Sequence, residues 1–481
     1  MLSQSAPSIG IRFSPFRRML PKLKAGDLAV LRDTPEGWWV EYKSMPNGRL
    51  SIAKSISAFA NSEGGWLFYG VDETEVDGES MAGDFPGVPV ADVAAIRNDI
   101  RNAANHHVRP TPFYDVKVLK GPCKSIGLAA DRAVVVVSVP YGHDAPYIHS
   151  RGVVYRRKAD ESDPVKETDR TRLDMLWERG RRERSRLEQL LLEGPRLSDS
   201  ESNQSYMQLF LLTDPFGERG IRSKMGLKQF RRIMEPDEGA AFLDVKMDST
   251  FCVGDSFVAR MTEGNIPYAL LPTLTYSPDC STVATIPING WAIEESHEVI
   301  QEAFSRYEQT DAFLDLLQPQ STPVGAHVID VNYLMLLLMA FMGKHRALLE
   351  AEGVRAPVMI KMRLGNLWRR VPFVDTPDYI EGVKRYGLPV IDQSSLFVPD
   401  GTDPASLLRT EPKDWRKPTE VRPVVPASVT VAIDALRALG VLGHLAVDEA
   451  DGTAAGLRLL ESAFRAVGQP LSKGWLSGAD S

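Results

Sequence analysis

Residues 57–73 read SAFANSEGGWLFYGVDE, a helix-like segment that passes through a glycine pair into an aromatic strand. Ile52, Ile56 and Phe59 fall at the spacing of one helix face, so the helix is predicted to begin before this stretch. The glycine pair ends a helix readily, because glycine adopts left-handed backbone angles at little cost. The strand WLFYGV is apolar throughout, which is typical of a strand covered on both faces.

Charged side chains lie at the edges of this segment. The aromatic strand stops on two adjacent acids, Asp72 and Glu73. Upstream, the strand WWVEYK alternates, so Glu41 and Lys43 are expected to project from one face. Because a strand, a short helix and a second strand form one compact unit, neighbouring strands would bring Glu41 close to the acid pair.

Glu36, on the turn TPEG before the first strand, is expected to add a further carboxylate to this group. Clustered carboxylates raise one another's pKa unless a cation lies among them. Carboxylate oxygens bind Mg²⁺ or Mn²⁺, the metal polarises a phosphate and activates water, and a lysine offsets the developing charge. The pattern therefore predicts a site for phosphodiester chemistry. The alternative is a structural ion pair between Glu41 and Lys43.

These motifs resemble the Schlafen AlbA-like domain. The resemblance is carried by E-x4-E-x-K ending at Lys43, by AFANSEGG from residue 58 and by YGVDE from residue 69. Downstream, HHVRPTPF and the segment VSVPYGHDAPYIHSRGVVYRR fit the later part of the same pattern. The resemblance covers about residues 27–165.

The resemblance implies a metal-dependent endoribonuclease that acts on structured, tRNA-like RNA. The implied catalytic residues are Glu36, Glu41, Lys43 and Glu73, and the implied metal ligands are Glu36, Glu41, Asp72 and Glu73, holding Mg²⁺ or Mn²⁺. The third acid departs from the family pattern, which has a second aspartate where this chain has Glu73. In a bacterial host, the resemblance also implies a role in defence against phage.

Arginines supply candidate contacts to nucleic acid. Arg156 and Arg157 lie on the strand YRR, and one of them must point away from the other. Arg181 and Arg182 lie in the tract ERGRRERSR, which is also typical of a solvated helix face with Glu/Arg neighbours. We predict that these four arginines bind RNA or DNA phosphates.

The pattern along the chain predicts an α/β (α+β) fold with a mixed sheet. Strand and helix signals alternate up to about residue 157 and resume near residue 206. A proline-rich linker ends at Pro426. We predict a Schlafen AlbA-like domain in residues 1–175, a second α/β domain of unknown role in 185–410, and a helical tail in 427–481.

Composition indicates the compartment. The 481 residues carry a formal net charge of −7, which argues against indiscriminate coating of nucleic acid. The three cysteines are too few for a disulfide framework, so a cytoplasmic protein is expected. The N-terminal residues lack the continuous apolar core of a secretory signal. The run VNYLMLLLMAFMG from Val331 is too short for a bilayer and is predicted to be a buried helix.

The sequence is also compatible with two other functions. The same domain is found in non-catalytic regulators that bind DNA, and a scaffold role needs no chemistry at all. One copy of the motif per chain also leads us to expect a homodimer, because symmetric pairs are the commonest soluble oligomers.

Overall fold

In a computed structural model of the chain, the described residues are 13–18, 20–76, 78–158, 161–217, 220–235, 245–262, 270–293, 297–317, 322–402, 406–417, 424–445, 457–462 and 465. They fall into two compact units. The first unit is Met1–Leu187 with Asp214–Ile221, and the second is Glu188–Thr213 with Arg222–Ser481. The domain boundaries expected from the sequence stay predictions.

The first unit is built from short strands and three helices in its described part. The strands are β1 Val40–Lys43, β2 Gly65–Tyr69, β3 Glu73–Val76, β4 Glu79–Ala82, β5 Val88–Pro89, β6 Val108–Arg109, β7 Asp115–Lys120, β8 Arg132–Val139, β9 Ile148–His149, β10 Val153–Lys158 and β11 Glu161–Lys166. The helices are α1 Arg49–Asn61, α2 Val93–His107 and α3 Arg170–Leu192, with 3-10 turns at Leu20–Lys22, Ala25–Asp33, Val90–Asp92 and Lys124–Ile126.

A mixed sheet forms the centre of this unit. Its strand order is β1-β2-β8-β5, and β7 also pairs with β8 in antiparallel register. Strands β1 and β2 are parallel, with Glu41 opposite Leu67 and Lys43 opposite Tyr69, whereas β2 and β8 are antiparallel. The neighbouring strands and the mixed sheet expected from the sequence are confirmed.

Both faces of the sheet are covered. On one face, Leu67 and Tyr69 pack against α1 and α2. On the other face, Trp66 and Phe68 pack against the 3-10 helix Ala25–Asp33. The double coverage explains why WLFYGV is apolar throughout, since every side chain of the strand is buried.

The end of α1 is fixed to a second sheet of order β11-β10-β9-β6. Gly64 has a φ of 78°, and its N–H donates to the Phe59 carbonyl at 3.0 Å. The Asn61 amide donates to the carbonyls of Tyr147 (2.8 Å) and Tyr155 (2.9 Å). The AFAN segment therefore ends the helix and also joins it to β10.

The second unit is a separate α+β body. Its strands are β12 Ser205–Leu212, β13 Ser249–Val253, β14 Ser256–Arg260, β15 Thr273–Tyr276, β16 Thr282–Ile288, β17 Gly290–Ala292, β18 His327–Asp330, β19 Val358–Gly365, β20 Arg370–Phe373, β21 Ser395–Val398 and β22 Leu408–Thr410. Its helices are α4 Leu227–Met234, α5 His297–Ala303, α6 Thr310–Leu314, α7 Val331–Glu352, α8 Pro377–Tyr386, α9 Pro426–Ala438 and α10 Leu442–Leu445, with 3-10 turns at Asp199–Glu201 and Pro412–Trp415.

A large antiparallel sheet with the order β13-β14-β15-β16-β12-β19-β21 forms the core of this unit, with β22 also pairing β19. The predicted buried helix is confirmed as α7, which is capped by the Asp330 carboxylate accepting from the Tyr333 N–H at 3.1 Å. No helix in the described ranges combines the length and the apolar character needed to cross a membrane. Much of the predicted helical tail, residues 446–456 and 466–481, lies outside the described residues.

Candidate functional site

Glu41 and Arg157 form a buried ion pair. One carboxylate oxygen of Glu41, Oε2, accepts from Arg157 Nη1 at 2.9 Å, and the other, Oε1, accepts from Ser55 Oγ at 2.8 Å. The two side chains are 3% and 0% exposed. Burying two charges is costly unless they are paired and their remaining polar atoms are bonded, and both conditions are met here.

The Arg157 guanidinium is used entirely within the fold. Its Nε donates to the Gly37 carbonyl at 2.7 Å, and its Nη2 donates to the Val40 carbonyl at 3.3 Å. It also lies 5.0 Å from the centroid of the Phe59 ring. The prediction that Arg157 contacts nucleic acid is therefore corrected, because a buried guanidinium bonded on every side has no path to a phosphate.

Lys43 is partly exposed and lies between two carboxylates. Its ammonium donates to Glu73 Oε1 at 2.7 Å and lies 4.0 Å from Glu36 Oε1. The Lys43 and Glu73 side chains are 22% and 39% exposed, whereas Glu36 is 1% exposed. Burial disfavours the charge on Lys43, but the bond to Glu73 and the charges of Glu36 and Glu41 outweigh it, so the pKa of Lys43 is raised.

The β3–β4 hairpin brings Glu73 to this position. Glu73 pairs in register with Ala82, and the Ser80 hydroxyl donates to Glu73 Oε2 at 3.4 Å. The Ser80 carbonyl in turn accepts the Glu36 N–H at 2.7 Å. The hairpin thus fixes both carboxylates that flank Lys43.

Glu36 is held in an unusual environment for a carboxylate. Its Oε1 accepts from the Tyr42 N–H at 2.5 Å, while Oε2 is buried with no hydrogen-bond partner among the described residues. Burial raises the pKa of Glu36 to about 7, against the lowering effects of the Tyr42 N–H and the charge of Lys43. This carboxyl group therefore changes charge near neutral pH.

The predicted metal ligands do not gather into one site. Glu41 has both oxygens occupied in the interior, and the Lys43 ammonium lies beside the remaining carboxylates, Glu36 and Glu73. No hydrogen bond or ion pair joins the Asp72 carboxylate to them in the described part of the chain, where only the Asp72 backbone is seen bonded, to Gly83 and Asp84. Within the same residues, no group of three or more His, Cys, Asp or Glu could hold a metal ion. As arranged, the donor set does not fit a divalent cation.

The other predicted arginines differ in exposure. Arg156 is 19% exposed and forms a 2.5 Å ion pair with Glu167. Arg181 on α3 is 65% exposed and lies 3.6 Å from Glu178, and Arg182 is exposed on the same helix. Helix α3 therefore offers arginines to solvent, while β10 offers little.

Sequence reasoning missed Ser55 and the partner of Glu41. Ser55 lies among apolar residues of α1, and a small serine at such a position gives no sequence signal for a hydrogen bond to a buried carboxylate. Arg157 and Glu41 are 116 positions apart in the chain, so no local spacing links them. The one available signal was the alternation of YRR, which places one arginine of the pair on the inner side of β10.

Residues 36–166 match the family described as Schlafen, AlbA_2. The first unit therefore contains a Schlafen AlbA_2 domain, as the motifs around AFAN and E-x-K predicted, and the match associates it with a nucleic-acid-related function. The comparison with curated proteins gave no match.

Two solved structures show weaker similarity. The N-terminal domain of a DNA helicase RecG-related protein from Nitrosomonas europaea is 23% identical, with 25% of this chain and 74% of that one covered and a TM-score of 0.19. The DIP2311 protein from Corynebacterium diphtheriae is 11% identical, with 67% and 51% covered and a TM-score of 0.18. This chain thus spans about half the length of the second protein.

Glu41→Gln is expected to lower the free energy of unfolding by roughly 3 kcal/mol or more, because it leaves the Arg157 charge buried without its partner. Urea denaturation at pH 7 measures the change. Glu73→Gln serves as the control and should change stability by less than about 1 kcal/mol, since its ion pair with Lys43 is half-exposed. Equal, small losses in both variants would contradict a structural role for Glu41.

Glu36→Gln is expected to alter the pH dependence of stability. Because the pKa of Glu36 in the folded chain is about 7 rather than 4.5, the folded state holds an extra proton between these values. The stability of the wild type therefore falls as pH rises through this window, by at most roughly 3 kcal/mol. The variant lacks this loss.

Urea denaturation at pH 4.5, 6 and 8 is the appropriate measurement for Glu36→Gln. The variant should gain stability relative to the wild type as pH rises. Glu75→Gln, an exposed carboxylate on the same hairpin, is the matched control and should leave the wild-type profile unchanged. Parallel profiles for Glu36→Gln and the wild type would show that Glu36 titrates normally.

Proposed function

We propose that the Schlafen AlbA_2 domain of this chain is an endoribonuclease acting on structured, tRNA-like RNA. The observation that supports it is the partly exposed Lys43 ammonium, which lies beside one exposed carboxylate, Glu73, and one buried carboxylate, Glu36. Glu73 is accessible to a substrate, whereas Glu36 lies beneath and changes charge near pH 7. The Lys43 cation and the Glu73 carboxylate, both partly exposed, are the kinds of group that phosphodiester cleavage requires.

Each side chain receives a definite role in the proposal. Lys43 binds a non-bridging phosphate oxygen and offsets the negative charge that develops there. Glu73, released from Lys43 when the phosphate binds, accepts the proton of the ribose 2′-hydroxyl, and the 2′-oxygen attacks the phosphorus. The bond from phosphorus to the 5′-oxygen of the next nucleotide breaks, and that oxygen takes a proton from water, so the products are a 2′,3′-cyclic phosphate and a free 5′-hydroxyl. Glu36, on the buried side of Lys43, positions the ammonium, and its negative charge stabilises the protonated form of Lys43. The requirement for a 2′-hydroxyl would distinguish RNA from DNA.

A metal ion has no step in this scheme. The Mg²⁺ or Mn²⁺ expected from the Schlafen resemblance would require Lys43 to withdraw from Glu73 and Glu41 to leave Arg157. Among the four implied ligands, Glu36 has a buried oxygen, Oε2, with no hydrogen-bond partner in the described residues, and such an ion could satisfy it. Metal dependence is therefore part of the test.

The wider nucleic-acid contact is assigned to α3 in this proposal. Arg181 and Arg182 are exposed there and can meet phosphates, while Arg156 can do so only by leaving Glu167. A cytoplasmic location, a homodimer and a role in phage defence stay predictions that accompany this function.

A second candidate is a DNA- or RNA-binding regulator without cleavage. The buried pair of Glu41 and Arg157 favours it, because it assigns to architecture a carboxylate that a three-acid nuclease would need. In this alternative, Lys43 contacts a phosphate and no bond is broken.

Purified wild-type chain incubated with total RNA and with plasmid DNA, each with Mn²⁺ or with EDTA, separates the two candidates on denaturing gels. We expect fragments from RNA and intact DNA. Lys43→Ala should slow RNA cleavage by roughly a hundredfold or more, the size seen when one donor to a developing charge is removed.

Lys117→Ala is the matched control for Lys43→Ala. Lys117 lies on β7 of the same sheet, and its ammonium donates to the Pro21 carbonyl at 3.1 Å. Cleavage by this control should equal that of the wild type. RNA that stays intact under every condition, although the chain binds it, would favour the regulator. Loss of cleavage in EDTA alone would show that cleavage depends on a divalent cation and would contradict the metal-free scheme.

A further inference from the structure

Helix α3 presents an exposed tryptophan just beyond the matched domain. Trp177 is 44% exposed, although tryptophan is usually well covered in folded proteins. Arg181 follows it by one helical turn and is 65% exposed. Residues four apart share a helix face, so Trp177 and Arg181 lie on the same side of α3. Arg170, two turns earlier, is 94% exposed on the same side.

The acids near these arginines hold them only weakly. Arg181 lies 3.6 Å from Glu178, and Arg170 lies 3.8 Å from Asp174, both within the same helix and both open to water. Such exposed pairs contribute little and exchange readily for a stronger anion. Seven arginines against four acids along α3 give the helix a net positive charge, which favours a polyanionic ligand.

A second protein helix is a poor fit to this surface. A docking helix needs apolar residues at intervals of three and four, which form a continuous stripe. Met175 is the other exposed apolar residue of α3 within the first unit. It is two positions from Trp177 and therefore lies on a different side of the helix. A single exposed ring on the same helix face as two exposed arginines is instead typical of base stacking next to phosphate contacts.

We propose that Trp177 is a stacking platform for an unpaired base of the bound RNA, with Arg170 and Arg181 contacting the flanking phosphates. The two arginines are eleven residues apart, about 16 Å along the helix axis, a span of a few nucleotides. The inference rests on the proposed function in taking RNA as the ligand. It adds a single-stranded segment to the structured RNA that the domain recognises.

Fluorescence anisotropy of the full chain with fluorescein-labelled oligouridylate of about 12 nucleotides tests the platform, with a blunt RNA duplex as the second probe. Trp177→Ala should weaken oligouridylate binding roughly fivefold or more, and Trp177→Phe should restore most of it, because phenylalanine also stacks. Duplex binding should change less than about twofold. Met175→Ala, which removes an apolar side chain 67% exposed on another side of the same helix, is the matched control and should behave as wild type.

The outcomes separate this inference from the proposed function. Unchanged oligouridylate binding by Trp177→Ala, with the wild type binding well, overturns the platform and leaves the ribonuclease proposal standing. Failure of the wild type to bind either RNA overturns both. A Trp177→Ala variant that binds RNA normally but has half the wild-type mass by light scattering would identify a contact between chains, which also overturns the platform.

Discussion

The buried ion pair between Glu41 and Arg157 is the interaction on which the first unit depends. It joins β1 to β10, and through Ser55 it also holds α1. The same guanidinium bonds the Gly37 and Val40 carbonyls, so the chain on both sides of the turn into β1 is fixed by one side chain. Buried charges tolerate little displacement, because any shift leaves a charge without a partner.

The position of the partly exposed Lys43 and Glu73 depends on this buried ion pair. Lys43 follows Glu41 on the same strand and face, so anchoring Glu41 also sets the direction of Lys43. The β3–β4 hairpin, which follows β2 in the chain, then places Glu73 beside Lys43. The Ser80 carbonyl of the same hairpin accepts a hydrogen bond from the Glu36 N–H. The resulting division is between an internal pair that maintains the fold and a second group in which Lys43 and Glu73 are partly exposed above the buried Glu36.

The local elements of the fold could be predicted because their signals are short-range. Periodicity gave α1, the apolar run gave the doubly covered strand β2, and alternation placed Glu41 and Lys43 on one face. The partners of the charged residues could not be predicted in the same way. Glu41 pairs with an arginine from a distant strand, and the hairpin, rather than the end of β2, decides that Glu73 and not Asp72 meets Lys43. Such choices depend on tertiary packing, which one sequence does not encode locally.

The division of labour is tested most directly by RNA cleavage with the double variant Glu41→Gln/Arg157→Met. Replacing both partners of a buried pair is far milder than removing one, so this variant should fold. The account predicts that the folded double variant cleaves RNA within about tenfold of the wild type, since Lys43, Glu73 and Glu36 are intact. A double variant that is folded by circular dichroism but as inactive as Lys43→Ala would contradict it and return Glu41 to the catalytic group.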